Sequence, residues 1–400
     1  MKNSPARIPC LLQNRRTFLR VGATAAAAVW LHPPTTLQAA PEIDQIQLDT
    51  ISHNPLAYHG WPTIARHRNG NLLLACSGGR QEHVCPFGCV EFMVSRDNAQ
   101  SWSWPQTLLD SPIDDRDAGV LATTQGTLLV TSFTSLAYAP ILDQATQSSP
   151  GDPRAWPPAK LRAWRSAHER LDPRQRQSEL GQWMIRSTDD GVSWSARYPS
   201  IVNSPHGPIQ LASGTLLYPG KELWTGQRRV GVCQSTDDGQ SWQWLAQIPV
   251  RPGDDPQHYH ELHAVESADH RIILQLRNHN PANNHETLQT ESSDAGHSWS
   301  IPHPIGVWGL PSHLLRLRDD RLLMSYGHRR SPLGNQARLS EDHGRTWSEP
   351  ILVSADGSSS DLGYPSSVQL DDGSLVTVWY EVLQGSPQAV LRQARWSLRS

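Results

Sequence analysis

Histidine, arginine, tyrosine and carboxylate side chains recur in this chain at one kind of place, the ends of short apolar runs. Tyr58 and His59 precede one such run, Asp114, Arg116 and Asp117 the next, and His206 the third. His258, His260 and Glu261, then His313, then Tyr364 hold the same position farther on. The runs are followed by Arg80, Glu82 and His83, by Lys221 and Glu222, and by Arg277 and His279. His328, Arg329 and Arg330, and finally Tyr380 and Glu381, complete the set. Arginine grips a carboxylate with a fork of donors. Carboxylates, histidine and tyrosine move protons or attack carbon. These are the groups a site for an acidic sugar requires. Strand ends are polar in any soluble protein, and any one of these residues is more often solvated than catalytic. The number of His, Arg and Tyr residues is what raises the expectation.

The elements that must bring them together are two interleaved repeats. The first is a hairpin: an alternating apolar strand, a turn with Gly or Asp, and a second apolar strand. It spans residues 63–75, 119–132, 208–218, 263–276, 314–326 and 367–380. The second is an octapeptide, Ser-x-Asp-x-Gly-x-Ser/Thr-Trp, at 187–194, 235–242, 292–299 and 340–347. A degenerate copy at 95–102 carries Ala99 where Gly belongs. Its Asp can accept backbone N–H groups in a tight turn. Its Gly supplies a positive φ, and its Trp is an apolar plug whose N–H can still be satisfied. A hairpin with two more strands makes a four-stranded antiparallel blade, and six blades predict an all-β six-bladed propeller. In that architecture the residues before each hairpin and after it converge on one end of a central channel. The strand at 46–49 is expected to pair near 390–397 and close the ring. An insertion at about 138–182, in the second blade, is rich in Pro and Arg, with a short helix expected over 159–171.

The octapeptide is the Asp box, and the chain resembles the sialidase (neuraminidase) superfamily of BNR-repeat proteins. The resemblance covers nearly all of residues 41–400. It implies a site built from a Tyr nucleophile assisted by a Glu, an Asp acid/base and three arginines for the substrate carboxylate. Tyr364, in Gly-Tyr-Pro-Ser-Ser, matches the nucleophile, and Glu261 the assisting Glu. Arg277 fits the second arginine, and Arg329 or Arg330 the third. Two positions depart: His59-Gly60-Trp61-Pro62 stands where the first arginine belongs, and the stretch expected to carry the acid offers Glu82 and His83 without an Asp. His59, Arg80, His206, His260 and His313 are further candidates for holding substrate.

The remaining features bound the setting. The chain has 400 residues and a net charge of −3, so no electrostatic footprint for nucleic acid is present. Sixteen Trp against four Phe fits a repeated structural use of indole. Asn-Arg-Arg-Thr-Phe-Leu-Arg at 14–20, an apolar stretch at 21–31 and small residues at 37–40 read as a twin-arginine export signal over 1–40. A periplasmic or secreted protein is expected, with no membrane association once the signal is cleaved. Outside the signal, which holds Cys10, the cysteines are Cys76, Cys85, Cys89 and Cys233. Export permits a disulfide, for which Cys85 and Cys89 are the local pair, with buried free thiols the equal alternative. Glu82, His83, Cys85 and Cys89 match no standard zinc spacing, and neither metal nor cofactor is expected.

Three functions remain open. The first is an exo-acting glycosidase on an acidic sugar, with Tyr364 as nucleophile, Glu261 as its base and His83 or Glu82 as acid. The second is a uronate-directed lyase, since β-elimination suits His, Tyr and Arg. The third is a glycan-binding propeller without catalysis.

Overall fold

A computed structural model describes residues 41–149, 151–152, 155–224 and 227–399. The expected signal, with Arg15, Arg16 and Cys10, lies outside them. Each expected hairpin forms the first two strands of a four-stranded antiparallel sheet, and there are six such sheets. Blade 1 runs Tyr58–Arg66, Leu72–Arg80, Cys89–Ser95 and Gln106–Leu109 from the channel outward. Blade 2 begins with Asp114–Ala122 and Leu128–Ser135, blade 3 with Ile209–Gln210 and Leu216–Lys221. Blade 4 begins with Tyr259–Glu266 and Ile272–Asn278, blade 5 with Ser312–Arg316 and Leu322–His328. Blade 6 takes Gly357–Gln369, Leu375–Leu383 and Ala389–Leu398, and its outer strand comes from Ile43–Thr50. Ile46 faces Trp396 and Leu48 faces Ala394, which closes the ring as expected.

Period-two alternation gives each sheet two apolar faces, and these pack blade on blade. Leu73, Val90 and Phe92 of blade 1 meet Val120, Val130 and Ile185 of blade 2. Ile64, Leu72 and Leu74 meet Val368, Val376 and Val378 of blade 6. Around the channel, side chains of one inner strand bond the backbone of another. Ser366 Oγ accepts from Ile64 N (3.2 Å), His263 Nδ1 from Leu314 N (2.9 Å) and His313 Nδ1 from Ser367 N (3.4 Å). Blades 2 and 3 approach more closely, because a Cβ on Gly119 would stand 2.5 Å from the Gly207 nitrogen.

The boxes behave as their residues dictate. Asp189 accepts from Ser193 N at 2.9 Å, while Ser187 Oγ accepts from Gly191 N at 3.0 Å. Trp299 Nε1 donates to Gly296 O (2.9 Å) and Trp347 Nε1 to Gln289 of the neighbouring blade (3.0 Å). In the degenerate box Ala99 adopts the glycine's conformation, at φ 63°.

The insertion forms three helices, α1 (Ala139–Gln147), α2 (Pro158–His168) and α3 (Pro173–Ser178). It docks on the loop after the second strand of blade 1. Trp164 Nε1 donates to Gln81 Oε1 (3.0 Å), Lys160 pairs with Glu82, and Trp164, Tyr138 and Leu142 pack with Cys85. All four cysteines outside the signal are buried free thiols, so the Cys85–Cys89 disulfide does not form. Among the described residues no helix is long and apolar enough to cross a membrane.

Candidate active site

Four inner strands begin with the same distortion. Trp61, Asp117, Glu261 and Tyr364 each take a positive φ, of 52°, 48°, 45° and 55°. Each sits where the pairing register slips, between Gly60 and Thr63, Arg116 and Gly119, His260 and Leu262, and Gly363 and Ser366. A bulge re-aims one side chain and is common beside active sites. Left-handed backbone at a large residue costs about 1–3 kcal/mol and persists only where the surroundings fix it. The same device therefore marks one residue in each of four blades.

Trp61 forms the floor. It is 1% exposed, and its ring lies 5.0 Å from His83, 5.7 Å from Tyr380, 5.9 Å from Tyr58 and 6.4 Å from Tyr364. The guanidinium carbons of Arg116 and Arg80 stand 4.6 and 5.0 Å from the centre of its ring system. Thus Gly60 stands at the position where the resemblance led to a clamp arginine, and the next residue supplies an indole, approached by an arginine from blade 2.

On one side of Trp61, Tyr364 Oη donates to Glu261 Oε1. Arg277 Nη1 donates to Glu261 Oε2 (2.7 Å) and lies 3.4 Å from Tyr364 Oη, while its Nε donates to His279 Nε2 (2.6 Å). Arg329 lies 5.9 Å from the Tyr364 ring, its Nε donating to Leu362 O (3.0 Å). The Nη2 of Arg277 and both Nη of Arg329 have no hydrogen bond among the described residues. Burial pushes the Tyr364 phenol well up, and the Glu261 charge adds to it. Burial also pushes Glu261 up, but the Arg277 charge and the bonds from Tyr364 and Arg277 outweigh it and leave its carboxyl below the usual range. The pair at rest is a phenol hydrogen-bonded to a carboxylate. Burial, then the Arg277 charge, push His279 down to about 4.

On the other side, His83 Nδ1 is 2.9 Å from Asp361 Oδ1 and 2.8 Å from Tyr58 Oη. Tyr58 and Tyr380 also donate to Asp361, at 3.0 Å each. Burial raises Asp361, but the bond and charge of His83 and the two phenols hold it below the usual carboxylate range. Sequence reasoning missed Asp361. It sought the acid in blade 1, whereas Asp361 stands three residues before Tyr364 on the long inner strand of blade 6, and nothing local distinguishes it.

Other candidates are placed elsewhere. Glu82 is tied to Lys160 of the insertion, which leaves His83 as the acid candidate. Arg80 is wholly buried and bidentate to Asp114, at 2.7 and 3.0 Å, so it supports Trp61 and offers nothing to a ligand. His59 turns away toward Glu91 (3.6 Å) and Ser52 (3.4 Å), and burial pushes it down to about 4. In the channel His313 stacks on His263 with ring centroids 4.4 Å apart, and His206 meets both edge-on at 5.2 and 5.4 Å. They lie beneath Tyr364 and knit blades instead of lining the rim. Arg330 is exposed and lies over Trp308 at 4.8 Å, so of the two candidates for the third arginine it is Arg329 that lies near Tyr364. His260 remains at the site, 5.1 Å from the His279 ring, and lines a small side pocket with Glu261.

These arrangements can be set beside known proteins. No curated protein matches the chain by sequence. Among solved structures, a protein of unknown function from Dyadobacter fermentans is 22% identical, with a TM-score of 0.71 over 89% of this chain and all of that one. A Hadza microbial sialidase, Hz136, is 17% identical, with a TM-score of 0.60 over 87% of this chain and 68% of its own. The K499G mutant of NanB sialidase from Streptococcus pneumoniae is 13% identical, with a TM-score of 0.59 over 90% and 71%. These likenesses show that the propeller has the sialidase fold. The model of the BNR repeat-like domain matches residues 159–377, more than half of the sequence, and the chain belongs to that family.

Proposed function

We propose that this protein is a glycosidase of sialidase-like type that cleaves a terminal acidic sugar. The observation that carries the reading is the part-buried Tyr364–Glu261 hydrogen bond beside Arg277, with unspent guanidinium donors on Arg277 and Arg329. Those donors would hold the sugar carboxylate. Tyr364 Oη would attack the anomeric carbon as the glycosidic C–O bond breaks, and Glu261 would take the phenolic proton. His83, oriented through Nδ1 by Asp361, would give a proton from Nε2 to the leaving oxygen. Water then attacks the glycosyl–tyrosine bond; His83 takes a proton from it and Glu261 returns one to Tyr364. The signal at 1–40 supports action outside the cytoplasm, which cell fractionation tests.

A second reading, β-elimination on a uronate, is favoured by the two phenols and the histidine gathered on Asp361. One screen separates the two. The protein is incubated with glycans ending in sialic acid or glucuronate, and released reducing sugar and ultraviolet absorbance are recorded together. Released sugar without absorbance, abolished in Tyr364→Phe, supports hydrolysis. Absorbance moves the assignment to the lyase, and silence on every substrate sinks both.

A further inference from the structure

Six blades have six outer strands, and five of these are short. Gln106–Leu109, Tyr198–Pro199, Gln243–Gln247, His303–Pro304 and Ile351–Ser354 have two to five residues each. Pro199 and Pro304 remove a donor from two of them. The outer strand of blade 6, Ile43–Thr50, has eight residues and no proline. It pairs on one side with Ala389–Leu398 and ends its sheet on the other. A long edge strand presents a row of unpaired N–H and C=O groups, a template for another strand that short or proline-bearing edges avoid.

Ile46 and Leu48 lie on one face of this strand, 41% and 38% exposed. They stand opposite Trp396 and Ala394, so they carry the apolar face of the core between blades 5 and 6 outward to the edge. Octapeptide tryptophans bridge to the neighbouring blade elsewhere, as Trp347 does to Gln289. The sixth hairpin has no octapeptide, and Ile46 borders an open groove of about 940 Å³ shared by Leu317 and Trp396.

The residues of the strand select the partner. Two copies related by a two-fold axis pair antiparallel, and like faces meet only when the axis passes through a residue and not between two. With Gln47 on the axis, Ile46 of each copy opposes Leu48 of the other, and Asp44 opposes Thr50. Both apolar pairs then fall on one face, and neither Asp44 nor Asp49 meets a carboxylate. An axis through Ile46 would set Asp44 against Leu48, and one between Ile46 and Gln47 would set Asp44 against Asp49. Apolar pairs stabilise a ladder and like charges opposite each other destabilise it.

We propose that this protein forms a two-fold dimer by edge-to-edge pairing of Ile43–Thr50, with Gln47 on the axis and Ile46 and Leu48 of both copies in one apolar cluster. This surface is separate from the site in the channel and does not depend on the glycosidase reading.

Sedimentation velocity of the purified protein between about 1 and 100 µM should show a monomer–dimer equilibrium. Leu48→Lys puts an ammonium group into the cluster and should raise the Kd at least about tenfold, with circular dichroism unchanged because the residue is exposed. Cross-linking gives a second measurement that does not rest on that variant. The four cysteines outside the signal are buried, and wild type serves as the blank for Cys10. Under mild oxidation Gln47→Cys, which faces itself across the axis, should give a covalent dimer on a non-reducing gel. Thr50→Cys, which faces Asp44, should link far less. A monomer throughout the concentration range overturns the proposal. So does a Kd that Leu48→Lys leaves unaltered, or cross-linking of Thr50→Cys as complete as that of Gln47→Cys.

Discussion

At one end of the propeller Asp97, Asp189, Asp237, Asp294 and Asp342 each accept the backbone N–H of the Ser or Thr four residues on, at 2.8–2.9 Å. At the other end Trp61, Asp117, Glu261 and Tyr364 share a backbone bulge and no side chain. The box end repeats residue, geometry and electrostatics together. Serine hydroxyl and backbone N–H donors hold the carboxyls of Asp189 and Asp294 down to about 2, although both are almost fully solvated. The site end repeats only the backbone device and spends each copy on a different group: an indole floor, a carboxylate at the side pocket, and the proposed base and nucleophile. Local hydrogen bonds can be copied blade by blade because each closes within eight residues. Chemistry cannot, since it needs unlike groups meeting across the channel.

If that division is right, substitutions at the site end should remove activity without unfolding the protein, and those at the box end the reverse. The largest effect is expected for Tyr364→Phe. The ring and its packing remain while the proposed nucleophile is lost, and kcat should fall by roughly four orders of magnitude. Glu261→Gln should fall by about 10²–10⁴-fold. Steady-state kinetics on the best glycoside, with thermal unfolding as control, checks both. Because Glu261 must be ionised to accept the proton and its folded value lies below the ordinary glutamate value of 4.5, the acid limb of kcat/KM should lie below pH 4.5.

Trp61→Ala sharpens the comparison, because Trp61 belongs to both worlds: it is floor of the site and part of the core between blades 6 and 1. Truncating a fully buried Trp costs about 3–5 kcal/mol, and Arg80, Arg116 and His83 lose the ring they pack on. Activity and denaturation midpoint should fall together. Loss of activity with an unmoved midpoint would show that the floor does not support the blade. Asp361→Asn should come next, at roughly a hundredfold in kcat. It removes the charge that orients His83 and leaves Tyr58 and Tyr380 a neutral partner. A loss confined to KM would remove His83 and Asp361 from proton transfer.

The same division explains what could be read from the residues alone. Six hairpins, the boxes and the closing strand announce themselves because turn chemistry and period-two alternation act within a dozen residues. Tyr364, Glu261 and Arg277, which the sequence singled out, do meet in the structure. Asp361 was not, since its meeting with His83 joins residues 278 positions apart. Nor was the fate of His206 and His313: a histidine before an inner strand reads alike on the rim and in the channel, and only the register decides. Arg80 looked like a free cation because Asp114, its partner, lies 34 residues away.

The smallest effect expected is at the box end, in Gly296→Ala. Gly296 holds φ 91°, and an added Cβ would stand 3.3 Å from the Leu217 and Leu245 side chains. A left-handed conformation costs a Cβ-bearing residue about 1–2 kcal/mol, and flexible leucines give by tenths of an ångström. The degenerate box shows that the fold tolerates this, since Ala99 is wholly buried there at φ 63°. Gly296→Ala should therefore lower stability by about 1 kcal/mol in chemical denaturation and leave kcat/KM unchanged. The box carboxylate adds a pH signature. With a folded value near 2 for Asp294 and an ordinary unfolded one near 3.9, its support is complete above about pH 4 and fades as pH falls toward 2. In Asp294→Asn that part of the acid loss should vanish while activity at neutral pH stays. A variant of this box that kept its stability and lost turnover would mean that the two ends are coupled through blade 4, and the division between them would have to be abandoned.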